Sequence, residues 1–190
     1  MGNRFLKDMV AEIENGGVFK PNEYKFIVSF PSMMNNYMND KQIKSEQLSF
    51  RIDRVNLPER GLSVVETHSS IHDTFSVANG LNQYTPLSFN IILSKDLKER
   101  ELFDKWMLKI VDKDNNYDTL YFDDYVGSAL IQIYNDGKLK SEYNFSEIFP
   151  VSVSDIELAY SETDAYATCT VTMNYTDFGI KERSSARNFY

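Results

Sequence analysis

A mainly β chain with accompanying helices, α+β in class and antiparallel in its pairing, is what three features of these 190 residues predict. Tyr166 to Asp177 alternates, with Ala167, Cys169, Val171, Met173 and Tyr175 in one set and Thr168, Thr170, Thr172, Asn174 and Thr176 in the other. A period of two sends these sets to opposite faces of one strand. The chain also holds 13 Phe and 12 Tyr. These residues suit a pleated, half-buried surface and are enriched where proteins assemble, although an ordinary aromatic core would use them as well. The clearest helix is central: Phe103, Trp106, Met107 and Ile110 form its apolar stripe, and Asp96 and Glu99 have N-cap and N3 spacing.

Taken in order, Phe5, Leu6, Met9, Val10 and Ile13 make a short amphipathic helix that ends at Asn15-Gly16-Gly17. Tyr24, Phe26, Val28 and Phe30 then alternate as a first strand between Pro21 and Pro31. The polar run from about 32 to 47 has no clean period and reads as an insertion. Leu48, Phe50 and Ile52 alternate as a second strand, which Leu57-Pro58 breaks. From about 67 to 83 a Ser-, His- and Asn-rich excursion, punctuated by Ile71, Phe75 and Val77 and turned at Ala78-Asn79-Gly80, reads as a protruding hairpin. Leu87 to Leu93 is a strand, and the central helix follows. Ala129, Ile131 and Ile133 lead through Asn135-Asp136-Gly137 into a hairpin arm closed by Phe149-Pro150. Ile156, Leu158 and Tyr160 share one face of a strand that pairs with the alternating stretch. The domain thus spans 1–178, and 179–190, with Lys181, Arg183 and Arg187, is a flexible basic tail.

Composition removes several classes of function. A net charge of -8 argues against a nucleic-acid grip, which needs clustered Lys and Arg. The lone Cys169, on an apolar strand face, is a small buried hydrophobe rather than a nucleophile. No apolar run approaches the ~18 residues of a membrane span, and the start has no signal-peptide pattern. Between Ser141 and Ile180 stand seven acids (Glu142, Glu147, Asp155, Glu157, Glu162, Asp164, Asp177) and no Lys or Arg. The plain reading is a solvated face; the sharper one is a surface that repels a polyanion.

No constellation makes an active site. Asp112, Asp114, Asn116, Asp118 and Asp123 have the spacing of a calcium loop, but Tyr117 stands where the turn needs Gly and Asp123 where a bidentate Glu is needed. His68 and His72 have no third ligand near in sequence, and Ser69, His72 and Asp73 are too local for a triad. The expectation is a non-enzyme with no catalytic residues, metal or cofactor.

The order of Phe5 to Ile13, Phe19-Lys20-Pro21-Asn22, Leu57-Pro58, Phe103-Asp104-Lys105-Trp106, Phe149-Pro150, Ile156-Glu157-Leu158 and Thr170 to Asp177 resembles the tail tube proteins of contractile-tailed bacteriophages. The resemblance implies a β-sandwich or barrel flanked by the central helix, six copies of which close a lumen-lining barrel in a ring. Stacked rings would form a genome-delivery channel in the virion tail, made from subunits synthesised in the host cytoplasm. Implied partners are further copies of the chain, the tail sheath protein, the tape-measure protein, baseplate tube proteins and double-stranded DNA that passes without specific binding. Phe5, Leu6, Met9, Ile71, Phe75 and Val77 would then meet neighbouring subunits. Asp155, Glu157, Glu162 and Asp164 would form an acidic lumen or DNA-repelling surface. A baseplate tube initiator and a secretion-system tube ring are close alternatives; a monomeric β-sandwich module for carbohydrate or peptide is one from another class.

Overall fold

The computed structural model describes residues 7, 22–68, 74–81, 85–112, 118–156 and 166–182. Its main sheet has seven strands in the order β1-β8-β9-β10-β5-β2, with β11 on the other edge of β9. These are β1 (Tyr24–Ser29), β2 (Ile52–Asn56), β5 (Leu87–Ile92), β8 (Gly127–Asn135), β9 (Lys138–Val153), β10 (Thr168–Asn174) and β11 (Asp177–Glu182); apart from them β3 (Leu62–His68) pairs with β4 (Thr74–Leu81) and β6 (Val111–Asp112) with β7 (Asp118–Thr119). Every pairing among them is antiparallel.

The fold depends on β9. Its first part lies between β8 and β11, while Phe149 to Val153 pairs with β10, so one strand serves both layers. Glu147 takes φ 54 between the two parts, and Val151 is the extra residue of a bulge, because Thr172 pairs with Ser152 and Met173 with Pro150. A bulge bends its strand and tolerates a residue with no N–H, which is why the expected end at Phe149-Pro150 is instead a corner that the strand passes through.

The two layers enclose the core. Phe26 and Val28 of β1 and Ala129 and Ile131 of β8 face Leu87, Phe89 and Ile91 of β5 and Cys169, Val171 and Met173 of β10, all buried. The Phe26 and Phe89 rings meet edge to face at 4.8 Å across the gap. The central helix, Lys98–Ile110, covers the margin with Leu102, Phe103 and Trp106 fully buried. Phe103 lies 5.9 Å from both Phe30 and Phe89, and Trp106 Nε1 donates to the Tyr125 carbonyl at 2.9 Å. At the far end Phe145, Tyr175 and Phe178 form a second aromatic group.

Several sequence expectations are corrected. The helix does not begin on an Asp96 cap: Leu97, at φ 53, is its N-cap residue, and Asp96 pairs with Lys98 at 3.3 Å. Glu99 turns back further, accepting from the Ser94 backbone N–H at 2.8 Å and from Arg51 at 3.1 Å. The insertion over 32–47 is a folded helical excursion, with a 3-10 turn at Ser32–Met34 and helices α1 (Asn35–Asp40) and α2 (Ser45–Ser49). Met34 and Leu48 enter the core, which a purely polar insertion would not supply. Leu48 therefore lies in α2, Phe50 is 81% exposed, and the strand starts only at Ile52. Finally, residues 179–182 are not tail: Phe178 to Glu182 pair with Phe145 to Ser141. Of the helix expected at Phe5 to Ile13 only Lys7, which is helical and exposed, is described; the strand through Leu158 and Tyr160 lies outside the described residues.

Candidate assembly surfaces

Strands β3 (Leu62–His68) and β4 (Thr74–Leu81) form a ribbon that pairs with itself and with no other described strand. It starts five residues before the expected hairpin, so Leu62, Val64 and Val65 belong to it. Val65 pairs with Val77 and Thr67 with Phe75, which puts Val65, Phe75 and Val77 on one face. Val64 and Leu62 lie on the other, opposite Ala78 and Leu81. Both faces are open, Val64 at 62% and Phe75 at 51% exposure. A lone two-stranded hairpin is marginal in water, and contiguous exposed apolar surface marks an interaction site.

The base of the ribbon is held firmly. Arg60 lies 4.4 Å over the Phe178 ring and donates to the Phe178 carbonyl at 2.9 Å. Thr85 accepts from the Glu59 N–H and, through its carbonyl, from the Tyr175 hydroxyl, both at 3.0 Å. Both legs of the ribbon are thereby tied to the aromatic group at one end of the sandwich. Sequence reading missed this pedestal, since no spacing relates Arg60 to Phe178.

The outward face of β9-β10-β5-β2 is polar and nearly uncharged. Asn56, Ser88, Thr172 and Ser152 stand in one row across four strands, and Arg54, Asn90 and Thr170 in the next. Thr170 Oγ1 donates to Asn90 Oδ1 at 2.9 Å, and Asn56 Nδ2 to Ser88 Oγ at 3.1 Å. Arg54 is the one charge in these rows. The alternation of Leu87 to Leu93 already carried Ser88 and Asn90; their alignment with Thr170 and Thr172 needed the strand register.

Of the expected site residues, Phe75 and Val77 lie together and exposed on the ribbon, and Asp155 is exposed just after β9. Phe5, Leu6, Met9, Ile71, Glu157, Glu162 and Asp164 lie outside the described residues. Burial pushes the Cys169 thiol up, away from a reactive thiolate. Among the described residues no group of His, Cys, Asp and Glu is arranged to hold a metal ion, and no helix is long and apolar enough to cross a membrane.

A cleft of about 330 Å3 opens where β1 and β2, the two terminal strands of the sheet order, approach each other. Tyr24, Val55, Leu57, Ile131 and Ile133 line it, with Glu23, Asp53 and Arg54 alongside. The Tyr24 hydroxyl bridges to the Ile52 carbonyl at 3.2 Å.

The phage tail tube protein family matches residues 19–181. Comparison with curated proteins gives no match. Three similar solved chains come from cryo-EM structures. One, from the anti-feeding prophage baseplate, is 12% identical with a TM-score of 0.62, covering 87% of this chain and 97% of that one. Another, from the PVC sheath-tube complex of an extracellular contractile injection system, is 13% identical with a TM-score of 0.61, covering 90% and 97%. A third, from the PVC sheath/tube terminator, is 15% identical with a TM-score of 0.58, covering 87% and 99%. At these identities the likeness is one of fold.

Proposed function

This chain belongs to the phage tail tube protein family, and from that premise we propose how its surfaces build the tube. As a tail tube subunit it is a structural component of the virion tail, in a family whose role is mechanical rather than catalytic. The proposal is that six copies join side by side into a ring and that rings stack into a channel. The sheath protein surrounds that channel, the tape-measure protein occupies it during assembly, and baseplate tube proteins start it. Synthesis in the host cytoplasm precedes assembly.

The observation that carries this reading is the self-paired ribbon with apolar side chains on both faces. Phe75 and Val77, with Val65 beside them, supply the anchor to a neighbouring subunit or ring, and Ile71 extends the same anchor. Phe5, Leu6 and Met9 provide a second contact from the N-terminal stretch. The nearly uncharged face of β9-β10-β5-β2 looks onto the lumen, with Asp155, Glu157, Glu162 and Asp164 at its border. A hydroxyl- and amide-bearing wall whose two rows hold a single cation, Arg54, gives double-stranded DNA few fixed charges to hold it, and nearby acids repel its phosphates. The binding-module alternative is not favoured by the family match.

Negative-stain electron microscopy of the concentrated protein, with light scattering alongside, tests the reading. Rings or hollow tubes of uniform width are expected. A strict monomer at every concentration, including in the presence of purified baseplates, would overturn it.

A further inference from the structure

We propose that Arg54 of one copy pairs with Asp155 of the next across the seam of the ring, which sets the register between copies and cancels the one cation in the rows of the β9-β10-β5-β2 face. The inference deepens the ring reading and rests on it. A bulge supplies the first support. Ile52 pairs with Ile91 and Arg54 with Asn90, so Asp53 is an extra residue in β2. Under strict alternation Arg54 would share the buried face of Ile52; the extra residue turns it to the outward face instead, as bulges re-aim side chains. Arg54 thus stands exposed among hydroxyls and amides, on the terminal strand of the sheet order, where a neighbouring copy can reach it.

Register supplies the second support. Arg54 is level with Asn90, Asn90 with Thr170, and Thr170 with Ser154, whose backbone N–H donates to the Thr170 carbonyl at 2.8 Å. That row ends on the opposite margin of the layer, beside exposed Asp155. Among the described residues β9 has no strand partner except β10 beyond Ile148, so this margin is open as well. Four antiparallel strands leave the two margins running in opposite directions, and copies set side by side therefore meet in one more antiparallel pairing. Such a contact joins unlike surfaces, the kind that closes rings. Two residues along a strand amount to about 7 Å, the length of an extended arginine side chain. That reach takes in Asp155 and leaves out Glu147, on the far side of the bulge at Val151. Among the described residues neither Arg54 nor Asp155 has an ion-pair partner in its own chain, Asp53 included.

The test mixes two charge variants of the full-length chain and counts rings in micrographs. Arg54→Glu faces Asp155 with a second acid, and Asp155→Arg faces Arg54 with a second base. Each alone should need about fivefold more protein than the parent to form rings, the weight of one partly exposed charge pair per seam. Both residues are exposed, so the dilute variants should melt as the parent does. An equimolar mixture is expected to form rings at the parent's concentration, because alternating the two variants restores an opposite pair at every seam. A pair within one chain could not be repaired in this way. Single variants that assemble as the parent does, or a mixture no better than its components, would overturn the pairing and leave the ring reading standing. A parent that forms no rings under the same conditions overturns both.

Discussion

Glu101 shows how single side chains fasten the helical excursion over 32–47 to the central helix. The buried Tyr37 hydroxyl beside it and the Lys41 ammonium at 3.4 Å hold its carboxyl below the ordinary carboxylate value of 4.5. In return, burial and then the Glu101 charge push the Tyr37 phenol up to about 12. A carboxylate with a depressed native pKa contributes stability above the unfolded value of 4.5 and loses it as the pH falls through the native one. Stability should therefore decline on acidification below about 4.5. Glu101→Gln should flatten that decline in urea melts between pH 5 and 2; an unchanged slope would remove Glu101 from the account. Glu99, 7% exposed, combines a backbone hydrogen bond with the Arg51 ion pair. Truncation to Ala strands the Ser94 N–H and should cost about 2 kcal/mol. Gly127 is chosen for space: a Cβ there would collide with the Ser29 carbonyl oxygen and come within 3.2 Å of Trp106. Gly127→Ala should lower stability by about 1–3 kcal/mol, as a shift in the denaturation midpoint at unchanged m-value would report.

At the scale of elements, the ribbon β3–β4 stands apart from the sandwich, since its strands pair only with each other among the described residues. Phe75 and Val77 are exposed, so Phe75→Ser with Val77→Ser should leave the unfolding free energy within about 0.5 kcal/mol of the parent while removing rings and tubes from micrographs. Tubes that persist in the double variant would move the assembly anchor elsewhere. Arg60→Ala should act at a distance: it frees the base of the ribbon from Phe178, and hydrogen exchange in 62–81 should speed while the β5 and β10 amides stay protected. The ribbon was legible in part, because Phe75, Val77 and the Ala78-Asn79-Gly80 turn mark a hairpin by local chemistry. Its true start was not, since Leu62 to Glu66 has strand propensity whichever partner it takes. Leu48 was misassigned for a related reason: an alternation of three residues, Leu48, Phe50 and Ile52, fits a strand or the end of a helix, and burial of Leu48 against β1 decided it.

For the whole molecule, charge is the controlling quantity. Each subunit carries -8, so bringing copies together costs repulsion that salt relieves: the screening length falls from about 30 Å at 0.01 M to about 10 Å at 0.1 M. Assembly monitored by light scattering should thus need less protein as ionic strength rises over that range, and a rise in the required concentration would show that attractive charge pairs dominate instead. The proposed lumen wall, with Arg54 as the one charge in its rows, predicts the effect of adding cations. Lysines at Thr172 and Asn90, whose side chains lie on the outward face, should leave tubes intact yet make them retain double-stranded DNA at low salt. Retention should vanish as salt is raised, in proportion to the phosphates contacted.

Period-two patterns in Tyr24 to Phe30, Leu87 to Leu93, Ala129 to Ile133 and Thr168 to Tyr175 determined by themselves that the protein is mainly β and which side chains are inside. One face of each strand must leave water, and alternation records that choice locally. The aromatic stripe of the central helix was equally plain, and the order of short motifs carried the resemblance to tail tube proteins. Tertiary structure alone decided which strands are neighbours, that β9 turns a corner through Pro150, and that Arg60 clasps Phe178. It also decided that Ser88 and Asn90 complete the polar face begun by Thr170 and Thr172. Those arrangements depend on pairings between segments far apart in the chain. The free energy that selects them comes from burying two layers against each other, and no single stretch encodes it.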